Sequence, residues 1–193
     1  EAMALSASYR LSEQGVTIDG NERIDFKRYP FIPRIIDAHA RRMTIVKSAQ
    51  LGVSIACILK ALEGARTENL RGILYGFPSD REVQDFSKAR LAPILQQNAH
   101  VWGDSIGDAD SAGLRQIGGT NLYFRGIGQK GASAAKSLSP IKSIPADWLF
   151  LDERDEMDDD PIVFAARDVY SWMLVGAAAL CFFGASTPDE NII

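Results

Sequence analysis

The sequence is poor in the residues that build disulfide frameworks and metal centres. It has two cysteines and two histidines among 193 residues. Cys57 and Cys181 lie far apart in apolar surroundings, which indicates buried free thiols in a reducing compartment. His39 and His100 have no companions at metal-ligand spacing, so the sequence predicts no structural metal centre.

Long apolar runs and a signal-peptide pattern are also missing. The apolar run 173–183 is too short to span a bilayer, and we therefore expect no membrane partner. The formal net charge of −4 argues against a DNA-binding surface that covers the whole molecule, although a local basic patch remains compatible with it. The length suits one ordinary domain with a complete core.

Short apolar runs alternate with stretches of helical periodicity, which predicts an α/β fold with a mainly parallel sheet flanked by helices. We expect residues 1–28 to be a polar arm, 97–119 to be a loop or short hairpin, and 126–145 to be a mobile loop. The predicted strands are 43–46, 72–75, 121–125, 148–152 and 179–184. The predicted helices are 34–41, 53–63, 79–96 and 161–174, with Ser79 as the cap of the third.

The strand Trp148–Leu151 is followed directly by two carboxylates, Asp152 and Glu153. Parallel sheets bind ligands outside the carboxyl ends of their strands. A carboxylate pair at this point is typical of ATPases, where one carboxylate holds Mg²⁺ and the other activates water. The alternative is a solvated acidic turn, because acidic residues continue to Asp160.

A second candidate segment, residues 43–54, reads as a strand, a tight loop and the start of a helix. Such a loop can bind phosphate through backbone N–H groups at the helix N-terminus, and the Ser54 hydroxyl would then reach Mg²⁺. The standard Gly-x-x-x-x-Gly-Lys-Ser/Thr pattern is incomplete, because Val53 stands where the lysine is expected. Lys47, at the start of the loop, can supply the cation instead. An ordinary strand–helix turn is the alternative.

These segments together resemble the large terminase subunits of tailed bacteriophages. Lys47 to Ser54 resembles the deviant Walker A loop of the lambda-like branch, and Trp148 to Glu153 resembles the Walker B strand with its catalytic glutamate. Gly184 to Pro188 resembles the coupling motif that ends a later strand. Residues 76–79, 86–95 and 121–126 resemble the intervening segments in the same order.

The resemblance implies a P-loop ATPase domain of RecA-like fold over residues 34–193, preceded by an arm of residues 1–33. Asp152 and Ser54 would hold Mg²⁺, Glu153 would activate water, and Lys47 would contact the phosphates of ATP. Tyr29 would contact adenine, and Thr187 would sense the γ-phosphate. The nucleotide loop would consist of Lys47, Ser48, Ala49, Gln50, Leu51, Gly52, Val53 and Ser54.

A further cation is expected from the neighbouring subunit of a ring, from the loop before Walker B. That loop has no arginine between Arg125 and Arg154, which departs from the family pattern. Lys142 best matches the position and is assigned as catalytic, with Lys136, Arg90 and Arg125 as alternatives. A lysine lacks the bidentate fork of arginine.

The resemblance also implies a setting for the domain. The expected partners are double-stranded DNA, further copies in a homo-oligomeric ring, the portal and the small terminase subunit. The expected location is the host cytoplasm, with transient docking on the procapsid. Two other functions stay open: a lobe of a superfamily 2 helicase, suggested by the string Asp152-Glu153-Arg154-Asp155, and an inactive nucleotide-binding scaffold, suggested by Val53.

Overall fold

The computed structural model describes residues 6–19, 22–48, 50–128, 144–157, 171–176 and 191–192. The helices in these ranges are α1 (Ala7–Glu13), α2 (Ile32–Ile36), α3 (Val53–Thr67), α4 (Asp80–Phe86), α5 (Ala92–Gln97) and α6 (Ala99–Trp102). The strands are β1 (Thr17–Asp19), β2 (Glu22–Arg23), β3 (Arg42–Val46), β4 (Gly72–Phe77), β5 (Ile106–Ser111), β6 (Leu114–Ile117), β7 (Thr120–Gly126), β8 (Trp148–Leu151), β9 (Ser171–Gly176) and β10 (Asn191–Ile192).

Eight strands form one sheet in the order β10-β3-β9-β8-β4-β7-β6-β5. The pairs from β10 to β7 are parallel, and β6 and β5 add an antiparallel edge. The carboxyl ends of β3, β8 and β4 therefore meet at one edge, with β9 inserted between β3 and β8. The predicted α/β fold with a mainly parallel sheet is confirmed.

The centre of the sheet is apolar on both faces, as expected for strands covered by helices on each side. All six residues of β4 are buried. Tyr75, in the middle of β4, stacks against Phe124 of β7 and Phe150 of β8, which are its register partners on either side. Phe77 and Phe86 complete a cluster of five aromatic rings. Such ring pairs stabilise a core by about 0.5–1.5 kcal/mol each beyond area burial.

Helix α3 packs along this sheet and carries the candidate loop at its N-terminus. Cys57 is fully buried on it, with its Sγ 3.4 Å from Met173 Sδ of β9, as predicted for a buried free thiol. Cys181 lies outside the described residues. Lys60 donates from Nζ to the carbonyl oxygens of Ile36 and Ala38 and lies over the Trp148 ring. Burial lowers the pKa of Lys60 to about 8.

The predicted helix 79–96 is confirmed, with one interruption. Ser79 caps α4 through a reciprocal capping box with Glu82. Between α4 and α5, residues Ser87–Leu91 form a π-helical turn. Pro93 follows within the first turn of α5 and has no N–H to donate, which fits a change of hydrogen-bond pattern at this point.

Two predicted helices differ from the structure. The predicted helix 161–174 is wrong over residues 171–174, which belong to β9, because a short apolar run fits a buried strand as well as a helix. The predicted helix 34–41 is shifted, since α2 spans residues 32–36. Residues 106–117 form a β-hairpin at the sheet edge, one of the two alternatives for 97–119. The predicted strand 179–184 and most of the loop 126–145 lie outside the described residues.

The N-terminal residues contribute to the same core. Leu11, Val16 and Ile24 are buried against it. The Arg10 Nε donates to Glu63 of α3 at 2.6 Å, and the Ser8 backbone N–H donates to Asp37 at 2.8 Å. These contacts hold α1 against α3 and the end of α2, and the Thr17 backbone N–H of β1 donates to Asn98 Oδ1, at the end of α5, at 2.8 Å. Among the described residues, no helix is long and apolar enough to cross a membrane.

The close contact between α3 and β8 depends on Gly64. A Cβ at this position would lie 2.3 Å from the Trp148 ring, which is held by Lys60 and Phe150. We expect Gly64→Ala to destabilise the fold by about 1–2 kcal/mol, because overpacking outweighs the gain in helix propensity. Thermal unfolding measures the change. The control is Gly103→Ala, where a Cβ would be 3.5 Å from Ala99, and an equal effect of both substitutions would contradict the account.

Candidate functional site

A cavity of about 820 Å³ opens at the carboxyl edge of the sheet, between β3, β8 and α4. Among the predicted site residues, the following line it: Tyr29, Lys47, Gln50, Leu51, Gly52, Val53, Ser54, Asp152 and Glu153. Ser48 is exposed and is not part of the lining. Ala49, Lys142 and Thr187 lie outside the described residues. The structure thus brings the two candidate segments together around one space.

Among the described residues of the loop between β3 and α3, two have an unusual backbone conformation. Gly52, the N-cap of α3, has φ of +76°, and Gln50 has φ of +61°. A left-handed conformation is unfavourable for residues with a Cβ, so Gly52 meets a requirement of the turn, whereas Gln50 carries strain. Strain of this kind is common where a loop is shaped to contact a ligand.

The N-terminus of α3 faces the cavity without a side-chain cap. Gly52 has no side chain to offer, and the first turn of the helix contains no acidic residue. The first N–H groups of a helix have no partner within the helix, and the helix dipole adds partial positive charge at this end. The end of α3 is therefore suited to bind an anion such as phosphate.

Asp152 is 2 % exposed although it lies at the tip of β8. Its Oδ2 accepts a hydrogen bond from the Tyr75 hydroxyl at 3.3 Å, and its Oδ1 accepts one from the Glu153 backbone N–H at 3.1 Å. Burial raises the pKa of Asp152, while a hydrogen bond from the Ser54 side chain and the charge of Lys47 oppose the rise. The oxygen atoms of the Ser54 and Asp152 side chains therefore lie side by side.

Glu153 stands at the mouth of the cavity with φ of +57°, a left-handed conformation that is rare for glutamate. The backbone turns sharply here from β8 into a 3₁₀ turn, Arg154–Glu156. The pKa of Glu153 is raised, first by burial and then by the neighbouring charges of Asp152 and Glu82, and is lowered by Lys47. A carboxylate of raised pKa at the edge of a cavity is well suited to accept a proton.

The oxygen atoms of Ser54 and Asp152 suit Mg²⁺ better than they suit a metal whose ligands all come from the protein. Within the described ranges, no group of three or more His, Cys, Asp or Glu residues is arranged to hold a metal ion. Mg²⁺ keeps several water ligands and uses one or two carboxylates together with substrate phosphates. Ser54 and Asp152, next to an anion-binding helix end, supply that kind of donor set.

Three cationic side chains line the cavity: Lys47, Arg28 and Arg90. Arg90 belongs to the π-helical turn after α4 and was one of the alternatives for the second cation. Arg125, another alternative, is not in the lining, and its guanidinium donates to the carbonyl oxygens of Gly113 and Phe124. Lys136 and Lys142 fall on residues that the structure does not describe.

Residues 21–172 match the family described as phage terminase large subunit gpA, ATPase domain. The chain belongs to this family. The assignment confirms the family predicted from the loop and the carboxylate pair, and it identifies the chain as the ATPase domain of a viral DNA-packaging enzyme. It also decides against the helicase lobe. No curated protein matches the sequence.

The fold is shared with a solved structure of 0.60 TM-score. The large terminase ATPase domain of Thermus phage P74-26 is 13% identical and has a TM-score of 0.60, with 97% of this chain and 85% of that chain covered. The large terminase of another thermophilic bacteriophage, solved in complex with ADP, is 15% identical with a TM-score of 0.47. That alignment covers 72% of this chain and 33% of the other chain.

Several residues of the terminase cavity were not predicted from the sequence. Glu82 and Asp85 of α4, and Ile18 and Glu22 of the N-terminal hairpin, all line it. Glu82 is fixed by Ser79, whose backbone N–H and hydroxyl donate to it at 2.7 and 2.8 Å. Ser79 was predicted to cap this helix, but its sequence context carried no signal that Glu82 lines the cavity.

The burial of Asp152 predicts a gain in stability when its charge is removed. Because the folded carboxyl has a raised pKa, ionisation penalises the native state, and the penalty grows as the pH rises from about 4. We expect Asp152→Asn to raise the free energy of unfolding by about 1 kcal/mol at neutral pH. Without added Mg²⁺, the gain should disappear as the pH falls towards about 4.

The matched control is Glu63→Gln, which also removes a buried acidic charge. Glu63 is 1 % exposed but accepts hydrogen bonds from Arg10 and Arg66 at 2.6 and 2.8 Å. The substitution removes the buried charge that pairs with two arginines, so we expect a destabilisation of about 2 kcal/mol. Chemical denaturation measures both variants. A loss of stability in Asp152→Asn comparable to that in Glu63→Gln would contradict the account.

Proposed function

We propose that the cavity binds Mg-ATP and hydrolyses it to move double-stranded DNA into a viral procapsid. The observation that carries this proposal is the contact between Ser54 and Asp152, next to the uncapped end of α3 and beside Lys47 and Glu153. The family match supplies the ATPase context, because the matched family is defined by the ATPase domain of the phage large terminase.

Each residue then has a defined task. The backbone N–H groups that begin α3 bind phosphate, and Lys47 neutralises the charge of the terminal phosphates. Ser54 and Asp152 would hold Mg²⁺, which would supply positive charge to the phosphate oxygens. Tyr29, with Phe31 packed edge-to-face against it, provides an aromatic surface for the base.

Glu153 acts on the water that attacks the γ-phosphorus. It accepts a proton while the water oxygen bonds to phosphorus and the bond to the bridging oxygen breaks, so that ADP leaves and phosphate is formed. The raised pKa of Glu153 favours this step, because a carboxylate of ordinary pKa is a weak base. Glu153 is also more exposed than Asp152, which leaves room for water beside it.

The second cation comes from a neighbouring subunit in this proposal, with Lys142 as its source. Charge in the transition state is spread over the phosphate oxygens, and a second cation supplied in trans accelerates such reactions strongly. Further copies in a ring, DNA, the portal and the small terminase subunit are the partners that the motor function requires. Docking on the procapsid from the host cytoplasm belongs to the same proposal.

Glu153→Gln should separate nucleotide binding from hydrolysis. The amide keeps the shape but cannot accept the proton, so we expect turnover to fall about 10²–10⁴-fold with nucleotide affinity retained. Lys47→Ala should instead weaken nucleotide affinity as well as turnover. The control is Arg81→Ala, since Arg81 is 91% exposed and pairs only with Asp85 at 3.8 Å among the described contacts.

ATP hydrolysis and equilibrium nucleotide binding are measured for each variant. Unchanged turnover in Glu153→Gln would sink the assignment of the water-activating residue. Nucleotide binding without any turnover in the unsubstituted chain would favour the inactive scaffold that Val53 suggested.

A mixing experiment tests whether Lys142 acts in trans. Lys142→Ala and Glu153→Gln chains should each be inactive alone. A 1:1 mixture should recover about one quarter of the activity, because a heterologous ring interface is complete only when each partner contributes its intact residue. The control mixture contains Arg90→Ala in place of Lys142→Ala. No recovery in the first mixture, or recovery only in the second, would exclude Lys142 as the trans-acting cation.

A further inference from the structure

The Tyr75 hydroxyl lies at the point where two elements of the site meet. Tyr75 is 1 % exposed in the middle of β4, and its hydroxyl donates to Asp152 Oδ2 at 3.3 Å. The same hydroxyl is 3.5 Å from the carbonyl oxygen of Ser54, in the first turn of α3. A single buried oxygen thus touches both the end of β8 and the start of the helix that follows the nucleotide loop.

The ring that carries this hydroxyl is held from several directions. Its register partners, Phe124 and Phe150, have ring centroids 5.8 and 5.5 Å away, and the Phe150 ring is within 9° of parallel. Phe77 and Phe86 lie 5.1 and 5.7 Å away. A side chain enclosed by four rings has little rotational freedom, so the position of its hydroxyl is fixed by the core.

The Asp152 carboxylate depends on the Tyr75 hydroxyl because few other described donors reach it. The described donors to its carboxylate are the Glu153 backbone N–H on Oδ1, the Tyr75 hydroxyl on Oδ2 and the Ser54 side chain. In the proposed function the Ser54 hydroxyl and the Asp152 carboxylate would hold the same Mg²⁺. Tyr75 is then the side-chain donor that holds the carboxylate without taking part in metal binding.

We propose that Tyr75 is a positioning residue, which orients the Asp152 carboxylate for Mg²⁺ by a hydrogen bond from a hydroxyl locked in the aromatic core. This inference rests on the proposed function, in which Asp152 holds Mg²⁺. Residues that hydrogen-bond to a metal ligand commonly govern the affinity for the metal. Their removal lowers this affinity about 10–100-fold. No role in binding ATP without metal is assigned to Tyr75.

The direct test is Tyr75→Phe, which keeps the ring stack and removes only the hydroxyl. We expect the Mg²⁺ concentration for half-maximal ATP hydrolysis to rise about 10-fold, with turnover near that of the unsubstituted chain at saturating Mg²⁺. Binding of ADP in the presence of EDTA should not change. A general loss of packing would not produce this pattern, because it would lower metal-free nucleotide binding and turnover together.

The matched control is Tyr123→Phe on the neighbouring strand β7. The Tyr123 hydroxyl is 3.4 Å from Asn121 Nδ2 and makes no described contact with the site, so its removal should leave the Mg²⁺ dependence unchanged. An unchanged Mg²⁺ midpoint in Tyr75→Phe, in a chain whose hydrolysis is Mg²⁺-dependent, would overturn the positioning role alone. Absence of Mg²⁺-dependent hydrolysis in the unsubstituted chain would overturn the proposed function instead.

A second measurement does not depend on activity. Tyr75→Phe is introduced into the unsubstituted chain and into Asp152→Asn, and the thermal midpoint is measured for each pair without Mg²⁺. A hydrogen bond to a buried carboxylate is stronger than one to an amide. The midpoint should therefore fall further in the unsubstituted chain than in Asp152→Asn. Equal losses in both backgrounds would show that the hydroxyl does not act on the carboxylate, and the proposal would be wrong.

Discussion

The burial of one carboxyl group is the constraint on which the rest of the site depends. Asp152 is almost completely enclosed at the tip of β8, where an ionised group is costly unless it is paired or hydrogen-bonded. The Tyr75 hydroxyl, the Ser54 side chain, the Glu153 backbone N–H and the charge of Lys47 all bear on it. A buried carboxylate that is held by neutral donors at the edge of a cavity is well placed to receive a cation.

The sheet explains how these groups meet. Because β3, β9, β8 and β4 are parallel, their carboxyl ends lie along one edge, and residues distant in sequence become neighbours there. The insertion of β9 separates the loop after β3 from the carboxylates after β8, which leaves the space that forms the cavity. The five-ring cluster around Tyr75 lies directly beneath that edge and gives it a rigid base.

The sequence alone was enough to predict the parts of the site whose residues are close together in the chain. The loop 47–54 and the pair Asp152–Glu153 each combine a strand with the residues that follow it, so their geometry depends on few neighbours. Residues 171–174 of β9 were wrongly predicted to be helical, because a short apolar run shows no periodicity that distinguishes a strand from a helix. The start of helix α4, by contrast, was predicted from Ser79 as its cap.

The contributions of Tyr75 and Glu82 could not be predicted, because they depend on strand register and helix placement. Tyr75 reaches Asp152 only when β4 pairs with β8 so that Tyr75 stands opposite Phe150. Glu82 reaches the cavity only when α4 packs over the end of β4. Likewise, Ile18 and Glu22 line the cavity because the N-terminal hairpin folds back on the core, whereas their sequence suggested a polar arm.

The proposed function requires that Ser54 and Asp152 hold Mg²⁺ beside phosphates bound at the start of α3. A crystal structure with Mg²⁺ and a non-hydrolysable ATP analogue tests it most directly. The account predicts phosphate density at the backbone N–H groups of Gly52 to Ser54, Lys47 against the terminal phosphates, and a metal next to Asp152. A nucleotide bound away from this loop, or a metal with no contact to Ser54 or Asp152, directly or through water, would contradict it.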